Sequence, residues 1–366
     1  MAGSSRRVTI KDVAAAAGVS TQTVSRVIND RLDVADTTRQ HVSEVIQRLG
    51  YRPSALARSM IRRRSYTLGV VTAGLKYIGP SRVLHGVTDA AEQEGYGLLL
   101  KQLPSFSSTA VESILDRLVE RRVEGVIWAV PEVGDNHVWL QKHASQLNLP
   151  IVVTSTRQQP DTYVVNIDNY EGGQIATRHL IEQGYRHIGH ISGPMDWWEA
   201  QQRKAAWADV LAEAGLRVDS RTWVAGNWSS ASGHKAALQL FDQYPEMDAV
   251  FVANDQMGLS VLQLAATRGI RVPQELGVIG FDNIPESAYF CPALSTIDQD
   301  QHQLGACVVQ ALIKMIDADD NGDERPPSNR LVLQPSLVVR ASSQRTPIPE
   351  LPTQTNQEEV DHRKSK

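Results

Sequence analysis

The stretch VSTQTVSRVIND, residues 19–30, carries hydroxyl, amide and guanidinium groups around a sparse apolar stripe. With Val24 and Ile28 turned inward at helical spacing, the polar side chains lie on the outer face of one short helix. A glutamine amide can pair with an adenine edge and an arginine with a guanine edge, whereas hydroxyl groups suit phosphates. The stretch therefore predicts a helix that enters the major groove of double-stranded DNA, with contacts from Ser20, Thr21, Gln22, Thr23, Ser25, Arg26 and Asn29.

Three helices are expected to position these groups. Thr9 can cap a first helix that ends at Gly18, and Ser20 can cap the second, polar helix. A third helix is predicted over Asp36–Leu49. Two short helices joined by a glycine turn form a helix-turn-helix. Further phosphate contacts are expected from the helix N-termini, including Thr9, and from Arg39.

The charge is divided unevenly along the chain. The formal net charge is −4, but residues 1–64 carry twelve Lys and Arg against five Asp and Glu, which leaves the remainder acidic. A basic head suits a polyanion, because Lys and Arg displace counterions from phosphates. For charge alone, a solvated basic surface is the alternative interpretation.

The segments VTIKDVAAAAGVSTQTVSRVIND and TTRQHVSEVIQRLGYRPSALARSM resemble the DNA-binding head and hinge of the LacI/GalR family of transcriptional repressors. The resemblance continues to about Arg340. It implies a helix-turn-helix DNA-binding domain over 1–52, a hinge helix and linker over 53–65, and a two-lobed effector-binding and dimerisation domain over 66–340. The polar tail over 341–366, rich in Pro and Gln, is expected to be disordered.

The hinge segment PSALARSM is too short to persist alone as a helix, so we expect it to fold on DNA. The family inserts a leucine from each of two paired hinge helices into a minor-groove step, and by position Met60 is that wedge here. Ala57 and Arg58 lie beside it. Arg62, Arg63 and Arg64 are expected to meet flanking phosphates, or to keep the linker soluble. A packing role at the domain junction is the alternative for Met60.

Beyond the linker, short apolar runs alternate with helical periods. The strand-like runs are TLGVVTA, YGLLLKQ, EGVIWAV, LPIVVTS, HIGHIS, DAVFVAN and LGVIGFD, with helices predicted over 83–94 and 110–121. This alternation predicts parallel sheets with helices on both faces. The expected fold is a small all-α helix-turn-helix head followed by an α/β body of two doubly wound parallel-sheet lobes. The resemblance implies the periplasmic-binding-protein type, with lobe one over 66–165 and 301–328.

Two such lobes would hold a ligand between them, at the carboxyl ends of their strands. The resemblance to sugar-responsive members of the family implies that Arg203, Asn254 and Asp282 bind adjacent sugar hydroxyls. It also implies that Trp228 packs against the sugar ring. An arginine fork and a carboxylate suit a vicinal diol, because they offer paired donors and paired acceptors.

Other side chains near the strand ends can shape this site. Trp197 and Phe281 can add apolar faces, although a single tryptophan is more often part of a core. Ser155 stands where one sugar-responsive relative that the body resembles has an aspartate, and Ile167 and Gln301 stand where that relative has phenylalanines. These departures argue against the same inducers as in that relative and make the pocket more polar at Gln301. Because the neighbouring Trp197 and Trp198 can close over a larger sugar, the predicted ligand is a β-glucoside, a β-galactoside or a related oligosaccharide.

The sequence gives no support for catalysis. Cys291 and Cys307 have no metal-binding spacing and suit a reducing compartment, and His187 and His190 alternate on one strand without sharing a face. No phosphate-binding loop, dinucleotide fingerprint or nucleophile elbow is present. We therefore predict no enzymatic activity, no cofactor and no metal. Without a secretory signal or a membrane span, a bacterial cytoplasmic, nucleoid-associated protein is expected.

These features together predict a sequence-specific repressor that binds a pseudopalindromic operator as a homodimer. A mono- or oligosaccharide acting as inducer is expected to release it, and the dimer surface is expected near residues 80–87. One alternative is a corepressor-type regulator that responds to a non-sugar metabolite. A solute-binding protein with a vestigial head is the less favoured one.

Overall fold

The computed structural model describes residues 8–28, 31, 33–51, 64–106, 111–134, 136–138, 149–158, 162–324 and 330–345. The part of the head that the structure describes forms three helices, α1 (Ile10–Ala17), α2 (Thr21–Ile28) and α3 (Asp36–Leu49). The capping predictions are confirmed, since Thr9 forms a capping box with Asp12 and Ser20 Oγ accepts from the Thr23 amide at 3.0 Å. Gly18 ends α1 with a left-handed φ of 65°. The three helices enclose a small apolar core that includes Val13, Val24 and Val42.

Lobe one is built on a six-stranded parallel sheet in the order β11-β5-β4-β3-β1-β2. Val70 and Val152 face one side of this sheet and their neighbours Val71 and Val153 face the other, and all four are fully buried. Because both faces of the sheet are covered, its strands are continuous apolar runs and do not alternate with polar residues. The strands are β1 (Thr67–Thr72), β2 (Gly97–Gln102), β3 (Gly125–Ala129), β4 (Ile151–Thr154), β5 (Tyr163–Ile167) and β11 (Arg330–Leu333).

Lobe two has a four-stranded parallel sheet in the order β7-β6-β8-β9, beside an antiparallel pair formed by β10 and β12. Val250 and Phe251 bury their side chains in cores on opposite faces of this sheet. The strands are β6 (Ile188–Ser192), β7 (Trp223–Ala225), β8 (Ala249–Val252), β9 (Gly277–Ile279), β10 (Thr296–Asp298) and β12 (Ser336–Val338).

Among the described residues, seven helices cover these sheets. In lobe one, α4 starts at Ile78, five residues before the predicted start, because Pro80 fits the first helical turn, where a missing N–H costs nothing. None of the helices that the structure describes is long and apolar enough to cross a membrane. The body helices are α4 (Ile78–Gln93), α5 (Val111–Glu120), α6 (Asn169–Glu182), α7 (Trp198–Glu213), α8 (Ser230–Gln243), α9 (Asp255–Thr267) and α10 (Gln301–Asn321).

The chain passes between the lobes three times, after β5, after β10 and after β11. The predicted end of lobe one at residue 328 is too early. Strand β11 pairs in parallel with β5, through Leu331 opposite Val165, and so belongs to the sheet of lobe one. The missed strand is half-exposed at a sheet edge, which weakens its apolar signal.

The prediction of a disordered tail from residue 341 is wrong for residues 341–345. Ser342 and Ser343 are fully buried. Ser342 Oγ donates to the Val278 carbonyl at 2.6 Å, and Ser343 Oγ lies 2.7 Å from His179 Nε2. The hydroxyls of these two serines form hydrogen bonds with buried polar atoms of lobe two, and the amino-acid composition of the tail does not reveal this role. Residues 346–366 of the predicted tail lie outside the described residues.

Candidate functional site

A cleft lies between the two lobes, at the carboxyl ends of their strands. Doubly wound folds bind ligands in this position. Residues from both lobes line it, so a molecule in the cleft would contact both. Seven of the eight predicted ligand residues line the cleft, namely Arg203, Asn254, Asp282, Trp228, Ser155, Trp197 and Gln301.

Arg203 is the best-fixed polar group of the cleft. It projects from α7 and is 5% exposed. Its Nε donates to Asn169 Oδ1 at 2.8 Å, one terminal nitrogen donates to the Ala253 carbonyl at 2.6 Å, and the other donates to Gln299 Oε1 at 3.3 Å. The Asp282 carboxylate lies 3.7 Å away. These bonds fix the guanidinium in one orientation, as a directional binding site requires.

The prediction that Phe281 faces the ligand is wrong. Its ring is fully buried in the core of lobe two and is absent from the cleft wall. A Cβ on Gly172 would lie 2.6 Å from this ring, so the glycine leaves the room that the ring occupies. The Arg203 guanidinium carbon lies 3.8 Å from the ring centroid. Phe281 therefore supports Arg203 from behind through a cation–π contact.

Asp282 supplies a carboxylate beside that guanidinium. Its backbone has a φ of 104°, and its Oδ1 accepts from Gln299 Nε2 at 2.5 Å. A left-handed aspartate is strained, and such strain is found preferentially at functional positions. Burial raises the pKa of Asp282 to about 6, although the Arg203 charge acts against this.

Asn254 caps a helix and also lines the cleft. It is the N-cap of α9, where its Oδ1 accepts from the Met257 amide at 3.0 Å. Its Nδ2 donates to the Trp228 carbonyl at 3.0 Å. An asparagine amide carries two N–H groups, so Asn254 has one donor left for a ligand while it also positions Trp228.

An aromatic cluster spans the two lobes at one end of the cleft. Trp197 of lobe two packs edge-on against Tyr77 and Phe106 of lobe one, with ring centroids 5.2 and 4.9 Å away. Trp228 lies 5.7 Å from Trp197. Gly193 is required here, because a Cβ at that position would collide with the Trp228 indole. The cluster gives the cleft an apolar wall.

Three residues on the cleft wall carry a buried polar atom with no hydrogen-bond partner among the residues that the structure describes. These atoms are Trp228 Nε1, Gln301 Oε1 and Glu199 Oε2. Burial raises the pKa of the Glu199 carboxyl to about 7. Buried polar atoms are almost always bonded in proteins, so unpaired ones that line a cleft indicate a polar ligand.

Sequence reasoning missed several of these groups. Two side chains that hold Arg203 follow strands that were not predicted: Gln299 comes directly after β10, and Asn169 begins α6, two residues past β5. Asn166 bonds the Ser155 amide at 2.8 Å from within β5. Glu199 lies in the first turn of α7, one turn before Arg203. In the sequence, the only signal for Glu199 was its position four residues before Arg203, a predicted site residue.

The lobes touch each other on two sides of the cleft. In the mouth contact, the Gly134 amide donates to the Asp196 carbonyl at 2.9 Å and the Trp198 amide donates to the Glu132 carbonyl at 3.1 Å. In the Arg82 contact, the Arg82 guanidinium donates to the Asp282 carbonyl at 2.8 Å and more weakly to the next carbonyl. The structure therefore shows the lobes closed on each other.

The polar face of α2 is placed as the sequence predicts. Thr21, Gln22 and Arg26 are exposed, whereas Val24 and Val27 are buried. Arg26 lies 3.5 Å from the Asp33 carboxylate in an exposed ion pair. Its guanidinium remains accessible, because exposed pairs of this kind are weak.

Some of the remaining predicted DNA contacts lie within the described residues and others lie outside them. Ser20 and Thr23 form the start of α2, and their hydroxyl oxygens are 2.9 Å apart. Arg39 donates to the Arg31 carbonyl at 2.5 Å, which ties α3 to the segment after α2, and Ser25 is half-buried. The predicted contacts outside the described residues are Asn29, Ala57, Arg58 and Met60.

The structure does not support the expected phosphate contact of Arg64. Its guanidinium is bound to lobe one, 3.1 Å from Glu124, 3.1 Å from Asp317 and 3.2 Å from Asp320. The Tyr66 ring lies 5.2 Å below it. Because three carboxylates of lobe one bind the Arg64 guanidinium, Arg64 anchors the linker to lobe one. We call Arg64 and these carboxylates the linker anchor.

Two family models match this chain, one in the head and one in the body. Residues 9–54 match the model described as bacterial regulatory proteins, lacI family, and residues 177–343 match the periplasmic binding protein-like domain. The HTH-type transcriptional repressor PurR of Mannheimia succiniciproducens is 33% identical over 335 residues, covering 91% of this chain and 98% of that protein. PurR of Edwardsiella ictaluri is 34% identical over 336 residues, covering 91% and 96%.

Solved structures show the same architecture. The lac repressor dimer bound to operator and the anti-inducer ONPF superposes with a TM-score of 0.82 at 27% identity, covering 93% of this chain and all of that chain. The complex of the transcriptional regulator CelR with cellobiose superposes with a TM-score of 0.66 at 30% identity, covering 92% and 100%.

Proposed function

This chain belongs to the lacI family of bacterial regulatory proteins and is a DNA-binding repressor of that family, and we propose that a sugar inducer in the inter-lobe cleft switches its operator affinity. The observation that carries the proposal is the convergence of fixed polar groups in the cleft. Arg203 and Asp282 stand side by side, and three further buried polar atoms line the wall without protein partners among the described residues.

The chemistry of these groups suits a polyol. Hydroxyl groups both donate and accept, so one class of ligand can bond the Trp228 donor, the Gln301 acceptor and the Glu199 carboxyl in either protonation state. The aromatic wall suits the apolar face of a sugar ring. The similarity to the CelR–cellobiose complex supports a sugar as the ligand, and a β-glucoside, a β-galactoside or a related oligosaccharide is the predicted one.

In the proposed mechanism, the ligand changes how the two lobes are held together. It would bond groups on both lobes, and lobe one carries the linker through the linker anchor. A change in the orientation of lobe one would then alter the spacing of the two hinges in a homodimer and weaken their grip on DNA. Linkage requires that operator weakens the ligand by the same factor, typically about 1–3 kcal/mol.

The DNA side of the proposal rests on α2. Gln22 and Arg26 would read base edges in each half of a pseudopalindromic operator, with Thr21 entering the groove beside them. Thr9, Ser20, Thr23, Ser25 and Arg39 would contact phosphates near the helix ends. Asn29, Ala57, Arg58 and the wedge Met60 complete the set as predictions from the sequence.

A corepressor response to a non-sugar metabolite is the second candidate, because the relatives with 33–34% identity are named PurR. Unpaired donors and acceptors in the cleft can also bond the edge of a purine base. The two candidates differ in sign, since an inducer weakens operator binding and a corepressor strengthens it. A solute-binding function is less favoured, because the head forms a complete helix-turn-helix.

Isothermal titration calorimetry with a panel of β-glucosides, β-galactosides, their disaccharides and purine bases tests the ligand class. We expect heat from a sugar, and a loss of roughly thirtyfold or more in affinity in Arg203→Ala, about 2 kcal/mol or more, because Asp282 then loses its cationic neighbour. Arg217→Ala, which removes a surface arginine paired with Asp219 and Glu246, is the matched control. Heat from purines alone would overturn the sugar assignment.

A further inference from the structure

Two histidines and an aspartate meet on the surface of lobe one, away from the cleft wall. His85 and Asp89 lie one turn apart on α4, and His302 lies in the first turn of α10. Asp89 Oδ2 is 3.4 Å from His85 Nε2 and 2.9 Å from His302 Nε2. The two imidazole rings are 5.2 Å apart and nearly perpendicular. We call these three residues the His85 cluster.

The helices that carry the cluster are held unusually close. A Cβ on Gly86 would collide with the His302 carbonyl oxygen, and a Cβ on Gly305 would collide with the Val83 carbonyl oxygen. Only glycine at both positions permits this approach. The close approach of the two backbones therefore places His302 beside α4, within reach of Asp89.

We propose that the His85 cluster binds a divalent transition-metal ion, with zinc as the best match. All three ligand atoms lie within 4.8 Å of one another. Zinc–nitrogen and zinc–oxygen bonds near 2 Å at tetrahedral angles place ligand atoms about 3.3 Å apart. The two distances to Asp89, 3.4 and 2.9 Å, bracket this value. Two imidazoles and one carboxylate suit zinc better than calcium or magnesium, which prefer oxygen.

The exposed position leaves room for a fourth ligand such as water. In the single chain, His85 and His302 have 70% and 51% of their side-chain surface exposed, so an ion can enter without opening the fold. His85 lies within the stretch 80–87, where the dimer surface is expected. Local spacing could not reveal the site, because 213 residues separate Asp89 from His302. A bound ion would tie α4 to α10, next to Gln301 on the cleft wall.

Zinc titration of the full-length chain, stripped of metal with a chelator and free of any affinity tag, tests the proposal. We expect one zinc ion per chain by calorimetry and a rise in unfolding temperature on zinc addition. His85→Ala and Asp89→Asn should each weaken zinc binding roughly tenfold or more, and both should lose the thermal shift. His187→Ala, which removes an exposed histidine of lobe two, should bind zinc as the parent chain does.

Cobalt substitution separates this site from binding through cysteine. A spectrum with ligand-field bands and no thiolate charge-transfer band supports the cluster, because its ligands are nitrogen and oxygen. The free thiols are Cys291 and Cys307. Zinc heat that persists unchanged in a His85→Ala, His302→Ala double variant, or no zinc heat in the parent chain, would overturn the proposal.

Discussion

At the scale of single residues, Glu199 is the least expected group in the cleft. Burial raises its pKa to about 7, so in the folded chain the carboxyl keeps its proton well above its ordinary range. The unfolded chain releases that proton near the ordinary value of 4.5. The folded state therefore binds more protons between about pH 4.5 and 7, and this group makes folding less favourable as pH rises through that window.

We predict that Glu199→Gln gains stability relative to the parent chain as pH rises from 5 to 8, because the amide stays neutral. Urea unfolding midpoints at four pH values measure the difference. Glu213→Gln, exposed at the end of the same helix, is the control variant. A stability difference between Glu199→Gln and the parent chain that stays constant across this range would contradict the raised pKa.

Arg26 is the residue on which the DNA-reading prediction depends most. It is exposed on α2 and is paired only weakly with Asp33. Arg26→Ala should cost about 1–3 kcal/mol on the specific operator and relax the preference at one base pair. Fluorescence anisotropy with operator variants measures both effects, with Arg48→Ala at the far end of α3 as the control. Equal weakening on every DNA sequence would instead make Arg26 a phosphate contact.

At the scale of elements, the linker anchor joins the DNA-binding part to lobe one. Glu124 accepts from Arg64 Nε at 3.1 Å and from the Tyr66 amide at 2.6 Å. Glu124→Gln keeps an acceptor for the amide but weakens the ionic bond to Arg64. We predict that ligand affinity stays unchanged while the effect of ligand on operator affinity falls severalfold. This loss follows because lobe one then guides the linker less firmly.

Calorimetry for the ligand and anisotropy for the operator, measured on the same Glu124→Gln sample, separate these two quantities. Asp320→Asn weakens the bond of Arg64 to a partner that is 50% exposed, against 12% for Glu124, and should change the coupling less. Full coupling in Glu124→Gln would show that the linker anchor does not transmit the switch.

How far the sequence predicts these elements depends on strand length and burial. The long, two-sided apolar runs of β1, β3, β4 and β8 are unambiguous, and the head helices follow from their caps. The three-residue strands β7, β10 and β12 bury too few residues to show a period. Polar groups that follow unrecognised strands, such as Asn169 and Gln299, could not be placed at the cleft.

The error at Phe281 has a related cause. Past Gly280 the sequence places Phe281 and Asp282 next to each other, and neighbouring side chains in extended backbone point to opposite sides. Periodicity does not tell which of the two faces the cleft. The left-handed φ of Asp282 and the space above Gly172 determine that Asp282 faces the cleft and Phe281 the core, and neither feature is visible in a single sequence.

At the scale of the whole molecule, the closed arrangement of the lobes rests on the mouth contact and the Arg82 contact. Arg82→Ala removes two hydrogen bonds from lobe one to carbonyls of lobe two. Closed molecules would become rarer, so ligand affinity should fall by about tenfold, near 1.4 kcal/mol. Calorimetry checks this value, with Arg117→Ala on the exposed face of α5 as the control. An unchanged affinity would mean that Arg82 does not stabilise the ligand-bound state.

The central claim is that a ligand held by Arg203 in the cleft changes the affinity of the head for DNA. The most direct measurement is binding of the full-length chain to its own upstream DNA at fixed salt, titrated with mono- and disaccharides. We predict that one sugar weakens binding by about 5- to 150-fold in the parent chain and has no effect in Arg203→Ala. Operator binding that no sugar alters, and that a purine strengthens, would contradict the inducer account.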